Sequence, residues 1–396
     1  MLTVAELARS PNPLAAHYSR FAVADRLLLT GHSHQAWPDV GFEGQQEAWT
    51  DAAALVDEKW ERAMIKADRV RAGFATLLGC PAEEVALGAN THELIVRLLW
   101  SLDLGRRRKL VTTDGEFHTI RRQLDRFAEA GLEIVKVSAT PATAIAERLT
   151  AAVDDNTAAV LVSAVLYANA HLVPGLDTVL ARCRGVGAEL LVDAYHALNV
   201  VPFSLPDLGL DDAFVTGGGY KYCQLGEGNC FLRVPPGREL RPLITGWFSE
   251  FAELEQAPAG GVAYGRGPAR FAGSTYDPTS HYRAARVFEF FEGQRLTPAL
   301  LRAVSRHQVG RLSAGFDALD LDPSVVSRDG ETPLEAVAGF VALRSPEAAV
   351  LSRALRDRGV LTDVRGDLLR LGPAPYLSDS QLDAAVDALR DTVPPR

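Results

Sequence analysis

The sequence predicts an α/β fold: a large domain on a mostly parallel sheet, with a small α/β domain at the C-terminus. Three observations point there. Short apolar runs alternate with amphipathic stretches through the middle of the chain, the pattern changes after about residue 280, and two of the apolar runs end in polar side chains.

In chain order, the first thirty residues form no evident unit and are expected to pack on the C-terminal domain. This divides the chain into 1–30, 31–280 (the large domain) and 281–396 (the small one). Gly88-Ala-Asn90-Thr91, ahead of a run ending at Arg97, reads as the start of an amphipathic helix. Apolar runs at 110–113, 133–137, 158–165, 189–193 and 213–216 predict strands, and 119–130, 142–153 and 176–186 predict the helices between them. Such alternation implies parallel strands, right-handed crossovers and helices on both faces. A further strand is predicted over 229–234, entered through the turn Gly226–Gly228. Helices are predicted from His281 to about Arg295, over 298–317, and near 378–392.

The chain has 396 residues, of which 47% are hydrophobic and 23% charged, an ordinary globular composition. Its net charge of -9 argues against a nucleic-acid or anionic-membrane partner. Arg106-Arg107-Arg108-Lys109 is short and reads as a solvated loop. No stretch is apolar for long enough to span a bilayer and no secretory signal is expected at the N-terminus. Four cysteines without a CxxC pair fit a reducing cytoplasm.

The chemistry concentrates at two strand ends. Leu190-Leu-Val-Asp193-Ala-Tyr-His196 offers an aspartate and a histidine, and Gly217-Gly-Gly-Tyr220-Lys221 a tyrosine and a lysine. Ligands of open α/β sheets sit outside such carboxyl ends. An amine for covalent attachment and a carboxylate to keep a pyridine nitrogen protonated are what pyridoxal 5'-phosphate needs. Neither a dinucleotide fingerprint nor a P-loop is present, since the glycine triplet runs into Tyr-Lys and Gly226-x-Gly228 precedes a strand. The helix start at Asn90 and Thr91 suits a phosphate, and Phe117 can lie flat on a ring. Arg370, flanked by leucines, has the planar fork that pairs with a carboxylate. His32 and His34, read as alternate residues of one strand, have metal-ligand chemistry, but no third ligand stands at ligand spacing and no metal site is assigned.

Taken in this order, the segments resemble kynureninase, a fold-type-I pyridoxal-phosphate enzyme of the class V aminotransferase superfamily. The resemblance runs from about residue 25 to about 390 and is most specific at Asp193-x-x-His196, Tyr220-Lys221, Gly246-Trp247 and Arg370-x-Gly-Pro-x-Pro. It implies that Lys221 holds the cofactor, Asp193 pairs with its ring nitrogen, Phe117 stacks on the ring and His196 stands beside it. It also implies phosphate contacts from Asn90, Thr91 and Tyr220 and, across a homodimer interface, from the partner copy's Trp247 and Ser274 or Thr275. Arg370 would clamp the substrate's α-carboxylate. The implied reaction is hydrolytic cleavage of the Cβ–Cγ bond of L-kynurenine or 3-hydroxykynurenine, with Lys221 moving the Cα proton. Tyr220 is the expected acid–base, its phenol tuned toward neutral pH by a neighbouring cation.

The chain departs from that family at Gly31-His32-Ser33-His34-Gln35, where Gly-Asn-Ser-Leu-Gly is usual, and at Tyr167-Ala-Asn169-Ala-His171, where an aromatic-Thr-Gly pattern is expected. The first change, two histidines and a glutamine, would alter the polarity around the substrate, and His32 and His34 become substrate-binding candidates. An aminotransferase, an epimerase or a cysteine-free C–S lyase of the same fold are the alternatives. A desulfurase would need a thiol near the C-terminal arginine, and the last cysteine is Cys230.

Overall fold

A computed structural model describes residues 2–256 and 260–393. Its main sheet has seven strands in the order Val85–Gly88, Cys230–Arg233, Phe214–Gly218, Glu189–Asp193, Thr157–Ser163, Lys109–Thr113 and Glu133–Val137. The last five run parallel, and the first two are antiparallel to their neighbours.

The alternation of side chains explains why both faces are covered. Leu110, Leu161, Leu191, Phe214 and Leu232 point to one face and meet Leu94, Ile95, Leu98, Ile120, Leu124 and Phe127 of the helices Thr91–Leu99 and His118–Glu129. Their neighbours Val111, Val160, Val162, Leu190, Val192, Val215 and Phe231 point the other way. There they meet the helices Ile145–Ala152, Leu176–Val186 and Lys59–Leu78. A strand buried on both faces reads as a continuous apolar run, which is why this region was the most legible.

Two long helices, Val40–Leu55 and Lys59–Leu78, precede the sheet. Against them lies Thr279–Gly293, where Tyr282 donates to Asp51 at 3.0 Å and Arg286 to Glu47. A Cβ on Gly44 would come within 2.6 Å of the Tyr282 carbonyl oxygen, so this crossing needs a glycine. The helix therefore packs with the N-terminal helices, although the sequence places it at the head of the C-terminal domain.

The remaining chain forms a four-stranded antiparallel sheet in the order Asp363–Arg365, Leu368–Leu371, Val341–Arg344 and Ser327–Arg328. It carries the helices Pro298–Ala318, Ala348–Asp357 and Asp379–Arg390. Thr297 caps the first of these and Pro298 opens it; Ser378 and Gln381 form a capping box on the last. The chain start is tied to this unit. Leu27–Leu28 pairs in parallel with Val360–Leu361, and the Gln381 amide donates to the carbonyls of Val23 and Arg26.

Candidate active site

Parallel strands bring their C-terminal ends to one edge, and this gathers the site. Asp193 closes its strand in register with Ser163 on one side and Thr216 on the other. The turn after it is tight: the Ala194 amide donates to the Thr216 carbonyl at 2.8 Å, and the Tyr195 amide to Asp193 Oδ1 at 2.8 Å. That turn swings His196 round to face the next strand's lysine, with Nε2 of His196 2.6 Å from Nζ of Lys221. The glycine triplet before the lysine is required by close approach, since a Cβ on Gly218 would lie 2.4 Å from the Tyr195 hydroxyl.

Burial shifts every charge here. It pushes the Asp193 carboxyl up to about 6, against the amide bond from Tyr195 and the nearby Lys221 charge. It lowers Lys221 to about 7, opposed by Asp193 and assisted by Arg370 and Arg365. His196 is held neutral by burial and by the lysine. An amine with so low a pKa is partly unprotonated at neutral pH, as a nucleophilic lysine requires.

Aromatic rings surround that amine. The Lys221 nitrogen lies 5.6 Å from the Phe117 ring centre, 5.2 Å from Tyr195 and 5.6 Å from Tyr220. Phe117 is half-buried and meets Tyr167 edge-on at 5.4 Å. Tyr220 stacks on His34, with ring centres 4.8 Å apart. Burial pushes the Tyr220 phenol up to about 12 in the protein alone, away from neutrality, so only the charge of a bound group could bring it down.

Arg370 lies across the site on the strand Leu368–Leu371, buried, and donates to the Tyr167 carbonyl and to Asp363. Two of its five donors are thus engaged. Its Nε is buried without a hydrogen-bond partner, so the fork retains capacity for a carboxylate. His32 and His34 do not alternate on a strand, as the sequence suggested. They lie in a turn in which the Ser33 and His34 amides both donate to the Thr30 carbonyl at 2.8 Å. The turn forms because Gly31 is pressed onto the backbone of Pro373, where a Cβ would come within 2.4 Å of an oxygen. His32 is fully buried against Phe340, with Nε2 3.5 Å from Asp363. His34 is exposed beside Glu227.

Asn90 caps its helix by accepting from the Glu93 amide at 2.9 Å. Gly88, two residues before it, pairs with Cys230, whose sulfur lies 3.7 Å from the Tyr195 hydroxyl, so this helix start lies at the same sheet edge as the site. Trp247, Ser274 and Thr275 do not join it. Gly246 packs on Gly273 and Ser274, while Trp247, 45% exposed, meets Phe248 and Phe251. Among the described residues no hydrogen bond or ring contact links these three to Lys221, His196 or Asp193.

Two carboxylates, Glu116 buried and Asp363 partly buried, received no role from the sequence. Glu116 accepts from Thr113 Oγ1 at 2.7 Å and from Ser163 Oγ at 2.6 Å, and burial pushes it up to about 7. Asp363 faces Arg370 across a hairpin whose Gly366-Asp367 turn was a usable signal. Among the described residues no three His, Cys, Asp or Glu could hold a metal ion, and no helix is long and apolar enough to cross a membrane.

Comparison with known proteins agrees with this architecture. Residues 329–389 match the kynureninase C-terminal domain family. The chain is 27% identical to a kynureninase of Deinococcus radiodurans over 353 residues, covering 86% of this chain and 80% of the relative. It is 22% identical over 346 residues to the uncharacterized aminotransferase YcbU of Bacillus subtilis, covering 86% and 87%. An apo cysteine desulfurase from Thermococcus onnurineus NA1 superposes with a TM-score of 0.81 at 18% identity, covering 97% of this chain and 98% of the other. The enzyme C-DES, solved with glycine covalently linked to its pyridoxal-phosphate cofactor, superposes with a TM-score of 0.82 at 16% identity, covering 96% and 99%. The fold is that of the fold-type-I pyridoxal-phosphate enzymes.

Proposed function

We propose that this chain, with a fold-type-I architecture and a C-terminal segment that matches the kynureninase domain, is a pyridoxal-phosphate-dependent hydrolase of L-kynurenine or 3-hydroxykynurenine, releasing an anthranilate and L-alanine. The observation that carries the reading is the buried Lys221, poised near neutrality, with Asp193, His196 and Phe117 around it.

The donor set fits pyridoxal phosphate: an amine with a lowered pKa, a buried carboxylate at a strand end, a half-buried aromatic ring and a helix start. Bound there, the cofactor supplies a sink for the electrons of a bond broken at the amino acid's Cα. Asp193, held in place by the Tyr195 amide, is the counter-charge for the ring nitrogen. Phe117 packs on the ring, and His196 keeps the lysine oriented. Asn90, Thr91 and Tyr220 would hold the phosphate, with Trp247 and Ser274 or Thr275 of a second copy completing its contacts. Lys221, with its lowered pKa, is the group that would carry the Cα proton. Arg370 takes the α-carboxylate through its free donors, and His32 and His34 are the further candidates for contact with the substrate. Tyr220 is the acid–base for the carbonyl that water attacks.

Sulfur relay is disfavoured, because burial pushes all four thiols up and away from the reactive thiolate. An aminotransferase is the second reading, supported by the similarity to YcbU. Unpaired cysteines fit a cytoplasmic setting. The test is a product assay on purified protein with kynurenine, its 3-hydroxy form and a panel of other amino acids. Fluorescent anthranilate with equimolar alanine is expected. No cleavage of either substrate, with amino-group transfer from another amino acid to a keto acid, would overturn the hydrolase reading.

A further inference from the structure

Resting on the reading above, in which Arg370 meets the α-carboxylate, the corner around that arginine also selects the side chain. Asp363 stands directly across the hairpin from Arg370 and pairs with its Nη2. It also accepts from Arg365 Nη1 at 2.9 Å and lies 3.5 Å from His32 Nε2. His32, fully buried, is kept neutral by that burial. Asp363 stays anionic: burial opposes its charge, but the adjoining His32 ring and the two guanidinium groups hold its carboxyl well below the usual range. Arg365, Asp363 and Arg370 thus form one chain of ion pairs, and Tyr167, whose carbonyl accepts from Arg370, meets Phe117, whose ring centre lies 5.6 Å from the Lys221 amine.

We infer that Asp363 is a specificity-determining residue, which balances one of the two guanidinium groups paired to it and so restricts the site to amino acids with an uncharged side chain. Two positive charges and one negative leave a single positive charge, and the α-carboxylate consumes it. A second substrate carboxylate would meet the Asp363 charge and an Arg365 already paired to it. The neighbouring surfaces agree: the Phe340 ring lies 5.4 Å from the Arg370 guanidinium, and Glu227 adds a further negative charge beside His34. In a partly buried site such unbalanced charge is costly to accommodate.

The experiment compares dissociation constants, read from the cofactor absorbance of the holoprotein, for L-kynurenine and for L-aspartate and L-glutamate. Wild type should bind the acidic amino acids at least a hundredfold more weakly. Asp363→Asn should narrow that ratio tenfold or more. Arg365→Gln, at an exposed position, should widen it and keeps the test available if Asp363→Asn fails to fold. A purely structural Asp363 would weaken both substrate classes alike and leave the ratio unmoved. Ratios unchanged within threefold in the folded variants, or a wild type that takes acidic amino acids as readily, would overturn the inference. Failure of the underlying reading is seen separately, as a wild-type protein that takes up no cofactor and shows no absorbance band; that result overturns both.

Discussion

Nζ of Lys221 and Nε2 of His196 lie 2.6 Å apart, one on the turn after Phe214–Gly218 and the other on the turn after Glu189–Asp193. At that separation a second proton is strongly disfavoured. Burial and the lysine's charge keep the imidazole neutral, and the lysine itself is lowered to about 7. The pair is therefore a proton-poor amine with a fixed orientation, rather than two cations, and it sets the first prediction.

Purified wild type should be yellow, and borohydride should fix pyridoxal phosphate to the Lys221 peptide in a mass spectrum. Lys221→Ala should be colourless. The free-amine fraction rises from about one tenth at pH 6 to about nine tenths at pH 8 for a group of this pKa, so cofactor attachment to the apoprotein should accelerate over that interval. Equal cofactor uptake by wild type and the alanine variant would remove the central assignment.

Asp193→Asn is nearly isosteric and should fold, while removing the negative charge that opposes the ring nitrogen. The expected loss in kcat is about a thousandfold, each tenfold step being about 1.4 kcal/mol. A loss smaller than about tenfold would count against the role of the carboxylate.

Glu116 predicts a pH dependence of the apoprotein. Its folded pKa, pushed up to about 7 by burial, lies above the ordinary carboxylate value of 4.5. The folded state thus holds the proton more tightly, so this contribution is fully present below about pH 4.5 and is lost as pH rises through 7. Asp193, raised to about 6, acts with the same sign over a lower window. Glu116→Gln keeps acceptor and donor atoms in place and should flatten the Glu116 part, a gain of up to about 3 kcal/mol at pH 8. Melting temperatures of apoprotein and variant at pH 5 and pH 8 read this directly; parallel profiles would sink it.

Arg370→Lys should raise KM at least tenfold with a smaller change in kcat, because an ammonium group cannot reproduce a bidentate fork already tied to Tyr167 and Asp363. An unchanged KM would show that the carboxylate binds elsewhere.

If Trp247 serves the partner copy's cofactor, Lys221→Ala and Trp247→Ala should complement each other. Mixing the two weakly active variants should restore a part of wild-type activity, as each mixed dimer keeps one intact site. An active monomer by light scattering would refute the shared site.

Much of this was legible in the sequence, for identifiable reasons. The strand Thr157–Ser163 is buried at every position, so its apolar run has no competing interpretation. Asp193, His196, Tyr220 and Lys221 stand at strand ends, and strand ends converge in a parallel sheet. The turn holding His32 was not legible, because it depends on the pressing of Gly31 onto Pro373, 342 positions away (373 − 31). Glu116 likewise gave no local signal. Its meaning lies in Ser163, a residue of another strand. The helix Val40–Leu55 has no apolar stripe to read, since the residues it buries are Gly41, Gly44 and Ala48.

The pairing of Leu27–Leu28 with Val360–Leu361 continues into the bridge between Thr30 and Gly372, just before His32. In time rather than space, this means the corner around His32 is closed by residues made before the large sheet and residues made after it. The seven-stranded sheet, with Lys221 and Asp193, can form while synthesis continues. His32 has no Phe340 or Asp363 to rest on until those residues too have been made. A nascent protein halted before residue 360 would hold the lysine and the aspartate and still lack the corner that chooses what they act on.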